Sequence, residues 1–152
     1  MSIHRAESIW GDMFYYVEPE VAGGFGASTL MDPAFHPPVV SQLEYQFEGW
    51  LGDELLETFP CFIVTEAVAS EITKLGLTGF LLATVKITAS AKFEDVEPKT
   101  ILPAFFWLKV DGKAGFSDFG IAGDYRLVIS ERARCAFFKF KMQNADMEVY
   151  GG

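Results

Sequence analysis

Acidic side chains are the residues of this chain best placed to do chemistry, and they come in two clusters. Asp53, Glu54 and Glu57 form one, and Glu94, Asp95 and Glu97 the other. On a helix, Asp53 and Glu57 would share a face, and glycoside hydrolysis needs two acids at a set separation. An acid catalyst, however, needs burial to raise its pKa, whereas both clusters sit in polar surroundings beside turns. They read as solvated faces, or as an acidic surface aimed at a cationic partner. Trp50, beside the first cluster, is either an aromatic anchor of the sort that dominates interface energies or part of the core.

No other set of reactive residues assembles. The two histidines are His4, near the N-terminus, and His36, in a proline-rich stretch, so a metal site or a Ser-His-Asp arrangement would have to draw on both from remote places. Asp118-Phe119-Gly120 matches the kinase metal-binding triplet, but the H-R-D and Gly-rich nucleotide loops that give it meaning are absent. Gly24-Phe25-Gly26-Ala27-Ser28-Thr29 lacks the third glycine of a dinucleotide fingerprint and reads as a flexible loop. Cys61 and Cys135 each lie inside an apolar segment and read as small buried hydrophobes, with a disulfide or metal pair as the alternative. The expectation is therefore no catalytic residue, no cofactor and no metal.

The elements that hold these residues are marked by a repeat. The run Phe62-Ile63-Val64-Thr65-Glu66-Ala67-Val68 returns 65 residues later as Leu127-Val128-Ile129-Ser130-Glu131-Arg132-Ala133. Ile72, Lys74, Leu75 and Leu77 then fall opposite Phe137, Lys139, Phe140 and Met142. Each apolar triplet suits a short buried strand. Thr65 or Ser130 can cap the helix that follows, with Glu66 or Glu131 at the positive end of its dipole. Val68, Ile72 and Leu75 give the first helix an apolar stripe, as Ala133, Phe137 and Phe140 give the second, while Glu66, Ser70, Thr73 and Lys74 fill the polar face. Gly76 provides the left-handed residue that ends the first helix, and Leu77 folds back on Ile72.

Helices this short do not stand alone. They need a sheet, and candidate strands lie at 13–17, 43–47, 80–88, 104–110 and 146–150. Leu43, Tyr45 and Phe47 alternate with Glu44, Gln46 and Glu48, which predicts a strand with one wet face. Asp111-Gly112 is a tight-turn signal. Residues 22–38, rich in glycine and proline, read as a long surface loop, and residues 118–124 as a turn into the second repeat. The predicted fold is α+β, a largely antiparallel twisted sheet with two short helices, in one domain over 1–152 with its internal repeat around 62–80 and 127–145.

Composition narrows the function classes. Half of the 152 residues are apolar and fifteen are Phe, so the chain can build a core. With 21 acidic against 12 basic residues, its formal charge of -9 opposes capture of nucleic acid or anionic lipid and favours a basic partner. Its apolar runs are about half the length needed to span a bilayer. Met1 to Glu7 lacks an export signal, so a soluble cytoplasmic protein is expected.

The segment from Phe62 through Phe80, and its echo Leu127 to Arg132, resembles the Imm11-type immunity proteins of bacterial polymorphic toxin systems. The resemblance covers the repeat segments, about a third of the chain. It implies a small cytoplasmic protein that binds a cognate toxin and blocks it. Its Ser and Glu are explained by capping, and it brings no catalytic residue with it. The cysteine-pair motifs of some related proteins are absent, and Lys141 stands where the first copy has Gly76. Two functions follow from these observations: a toxin-neutralising binding module, or a small-ligand binding protein or enzyme with a Phe-lined pocket gated by residues 22–38. Exposed sheet edges also permit a homodimer.

Overall fold

Thr65 and Ser130 each end a fully buried strand and begin a helix. Their hydroxyls accept the N–H groups of Val68 at 3.3 Å and Ala133 at 3.1 Å, so both cap as their residue types dictate. The computed structural model describes residues 13–151. Its strands are β1 (Phe14–Glu18), β2 (Gly23–Phe25), β3 (Leu30–Asp32), β4 (Val39–Gln42), β5 (Glu44–Phe47), β6 (Leu55–Thr58), β7 (Cys61–Thr65), β8 (Phe80–Ala83), β9 (Lys86–Ala89), β10 (Phe105–Val110), β11 (Phe119–Ile121), β12 (Leu127–Ser130) and β13 (Asp146–Val149). The helices are α1 (Glu66–Lys74), α2 (Ala91–Val96) and α3 (Glu131–Phe137). His4 and the N-terminal segment read for an export signal lie outside the described residues.

The fold is α+β, and the repeat is a repeat of whole sheets. One sheet has the order β6-β7-β10-β8, the other β11-β12-β1-β13, and both are antiparallel throughout. In each, a hairpin leads into the capped helix, the strand after the helix takes the far edge, and a fourth strand fills the gap. The registers correspond: Phe105 faces Thr65 as Phe14 faces Ser130, and Trp107 faces Ala83 as Tyr16 faces Glu148. The gap-filling strand of the second sheet comes from the N-terminal end of the chain. The two four-stranded sheets with their helices are thus one unit repeated, the second in circularly rearranged order.

Backbone and carboxylate contacts tie the copies together reciprocally. Glu54 donates its N–H to the Lys141 carbonyl at 2.9 Å, and Phe119 donates to the Thr78 carbonyl at 3.0 Å. Each contact joins the entrance of one copy to the chain that leaves the helix of the other. Val68, Ile72 and Leu77 meet Ala133 and Phe137 in one core between the sheets and helices. A second core, built on Tyr45, Phe47, Leu56, Ile63 and Trp107, lies under β5 and β9, which pair in parallel.

Several expectations need correction. Residues 22–38 contain β2 and β3, and β2 pairs with β5. Glu44 is buried, not on a wet face, because Ser28 and Thr88 satisfy its carboxylate. The segment 80–88 breaks into β8 and β9, which join different sheets. Ser90 caps a third helix, α2, outside the repeat. The N–H groups of Asp111 and Gly112 both donate to the Gly79 carbonyl, so the chain leaving β10 is held by the residue before β8. Residues 118–124 hold β11 as well as the turn.

Leu75 is exposed and Leu77 takes its place in the core, because the helix already turns at Gly76 (φ 67°). The turn closes as a Schellman pair, Gly76 N–H to Thr73 and Leu77 N–H to Ile72 at 3.0 and 3.1 Å. Cys61 is buried as expected, but Cys135 is exposed on α3, and both are free thiols.

Candidate functional site

The first acidic cluster is held by a chain of hydrogen bonds that starts at Glu20. Its carboxylate accepts the N–H groups of Leu51 at 2.6 Å and Asp53 at 3.1 Å. Burial raises the pKa of Glu20. Asp53 in turn accepts from the Asn144 N–H at 2.8 Å and the Asn144 side-chain amide at 3.0 Å. Glu54 accepts from the Thr65 hydroxyl at 3.0 Å and the Lys141 N–H at 2.9 Å. These bonds fix the segment 51–54 and set Trp50, whose indole N–H donates to the Asp53 carbonyl at 2.9 Å.

The predicted site residues therefore divide. Asp53 is 1% exposed, so it cannot touch a partner; the solvated face expected there is a buried staple to Asn144. No helix carries Asp53 and Glu57: Glu57 lies in β6 and Asp53 before it. Glu57 is half-buried, and burial, followed by the nearby Glu18 carboxylate, pushes its carboxyl up to about 7. Glu94 and Asp95 are exposed on α2, and Glu97 is exposed just past it. Phe47 links the two clusters, its ring meeting Trp50 at 5.8 Å and the buried Phe93 of α2 at 6.1 Å.

Trp50 forms one wall of an open groove of about 370 Å³ whose lining includes Glu54, Glu66, Pro103 and Lys141. Leu51, next to Trp50, is 74% exposed, and Ile101, two residues before Pro103, is 89% exposed. Leu51 thus lies between two residues of an aromatic-walled groove, Trp50 and Gly52, whose lining carries two carboxylates and Lys141, with further carboxylates on α2. Of the residues singled out in the sequence, Trp50 and Glu54 line this groove; Glu66 lines it as well, a place that its helix-start position did not reveal.

Other carboxylates serve the scaffold. Glu44 accepts from the Ser28 hydroxyl, the Thr88 hydroxyl and the Ser28 N–H, which hold its carboxyl at about 2. The stretch containing Gly26 is consequently pinned, and a side chain at Gly26 would strike Glu44. Asp118 accepts from the Thr78 N–H and hydroxyl and from the Ser130 hydroxyl. The nearest counterpart to the expected Phe-lined pocket is an open groove of about 400 Å³ beside α3, lined by Phe137, Phe138 and Phe140. It carries Arg134 and no carboxylate, and residues 22–38 take no part in it.

Among the described residues no helix is long and apolar enough to cross a membrane. No protein-family model matches the chain, and no curated protein matches it either.

Proposed function

We propose that this chain is a non-catalytic binding protein, in the manner of toxin-neutralising immunity proteins, that docks a basic protein partner on the surface around Trp50. The observation that carries this reading is the exposure of Leu51, which lies between Trp50 and Gly52 of the groove. Exposed apolar side chains beside an aromatic wall supply the desolvated centre of an interface. Glu54, Glu66, Glu94, Asp95 and Glu97 supply an acidic surround. The net charge of -9 would speed encounter with a cation-rich surface and repel anionic competitors. The proposed setting is the cytoplasm, where an immunity protein meets its toxin.

The test is capture of the adjacent gene product by the purified protein, followed by a survival assay on co-expression. Trp50→Ala should weaken capture by at least about tenfold, the usual scale for an interface anchor. Association should slow markedly between low and physiological salt. Absence of both capture and rescue rejects the reading, and a salt-independent on-rate removes its electrostatic part.

A further inference from the structure

Tyr125 has a left-handed backbone, φ 70°, where a hairpin of this geometry ordinarily carries glycine. Its N–H donates to Ala122 at 2.9 Å, and the Ala122 N–H donates to Arg126 at 2.9 Å, which closes β11 onto β12. A bulky residue there is strained, and such strain persists where something else requires the side chain. What the position supplies is an aromatic ring. Tyr125 meets His36 edge-on at 5.7 Å and Phe59 at 6.3 Å, and His36 meets Phe59 at 6.4 Å. Three loops distant in sequence thus bring three rings together on the surface. Phe59 remains 43% and Tyr125 38% exposed, and Phe35, next to His36, is exposed as well.

Acidic residues outnumber basic ones beside this patch, where Glu18, Asp124 and Glu148 share the single guanidinium of Arg126. Glu57 lies two residues before Phe59, Asp124 adjoins Tyr125, and Glu18 lies 3.8 Å from Arg126. Arg126 itself is consumed, bonded to Asp124 at 2.8 Å and Glu148 at 2.6 Å with its guanidinium 3.6 Å above the Tyr16 ring. That arrangement shows, one residue from Tyr125, how a guanidinium is held between a tyrosine face and carboxylates. A second copy of the chain would bring together two bodies of charge -9 and is disfavoured.

We infer that the Phe59–Tyr125–His36 patch is a docking point for an arginine-bearing segment of a basic protein partner, with the guanidinium stacked on an exposed ring beside this acid-rich margin. Ring quadrupoles attract cations, and a planar guanidinium stacks better than an ammonium. The inference rests on the reading that the partner is a basic protein, and it adds a second contact point away from the Trp50 groove.

The experiment is an NMR titration of the isotopically labelled full chain with hexa-arginine, repeated with hexa-lysine. The expected result is shift changes centred on His36, Phe59 and Tyr125, with hexa-arginine binding several-fold tighter than hexa-lysine. Phe59→Ala and Tyr125→Gly should each weaken binding by about tenfold. Tyr125→Gly relieves the backbone, so its thermal midpoint should not fall, which separates a lost ring from a lost fold. Shifts confined to the Trp50 groove, or unchanged affinity in both ring variants, would overturn the inference. If hexa-arginine maps to the rings but no gene-neighbour product is captured, the proposed function fails and the guanidinium site stands. If Trp50→Ala abolishes capture while both ring variants bind hexa-arginine normally, only this inference fails.

Discussion

The Thr65 hydroxyl donates to the Glu54 carboxylate at 3.0 Å, and the same carboxylate accepts the Lys141 N–H at 2.9 Å. Asp118 is its counterpart in the other copy, accepting the Ser130 hydroxyl and, at 2.8 Å, the Thr78 N–H. One carboxylate per copy therefore steadies its own helix cap and grips the chain that leaves the other copy's helix. This arrangement makes the two halves mutually dependent.

Removing either carboxylate should cost stability, and unequally. Glu54 is half-buried and its donors can turn to water, so Glu54→Ala should lower the free energy of unfolding by about 1–2 kcal/mol. Asp118 is buried with three donors aimed at it, so Asp118→Ala should cost about 2–4 kcal/mol. Urea unfolding of both variants measures the difference. Equal, small losses would show that these contacts do not carry the coupling.

The circular arrangement predicts that β1 need not precede the rest of the chain. Tyr15 pairs with Val149, and the Tyr150 N–H donates to the Phe14 carbonyl at 2.9 Å, so the end of β13 lies beside the start of β1. A permutant that joins Gly151 to Met13 through a short linker and opens the exposed turn between Pro33 and Ala34 should fold. Its melting midpoint by circular dichroism should fall within about 10 °C of the parent, since loop changes at exposed tips cost little. An unfolded permutant would mean that β1 must be presented from the N-terminal side.

Glu57 makes stability depend on pH with a definite sign. Its carboxyl rises from an ordinary value of 4.5 to about 7 in the folded protein, first through burial and then through Glu18. The native state therefore holds a proton that the unfolded chain releases. Its contribution is complete below pH 4.5, declines as pH rises through 7, and is absent above that. Glu57→Gln should match the parent at pH 4 and exceed it at pH 8 by about 1–2 kcal/mol, a figure reduced for the partial exposure of the site. Denaturant titrations at the two pH values decide the matter, and a variant less stable at pH 8 would contradict this account.

Helix starts, the Schellman stop at Gly76, the α+β class and the presence of a duplication were all legible in the residues. Each is written in short-range pattern: a hydroxyl three residues before the N–H that it caps, an apolar spacing of three or four, a glycine just past a helix. The acidic clusters were legible as clusters, but their roles were not. Asp53 is buried only because Asn144 meets it from 91 positions away, and Thr78 reaches Asp118 across 40. Glu44, which alternates like a surface residue, is sealed by Ser28 from the turn after β2 and by Thr88 from β9.

The sequence by itself therefore determined the local units: two capped helices, their preceding strands and the turn that ends α1. Only the tertiary structure decided that the strand nearest the N-terminus completes the second sheet, which carboxylates stay on the surface, and that His36, Phe59 and Tyr125 share a patch. The reason is range. Capping and periodicity act within one or two helical turns, whereas burial of a charge or a meeting of rings depends on partners that no local pattern names.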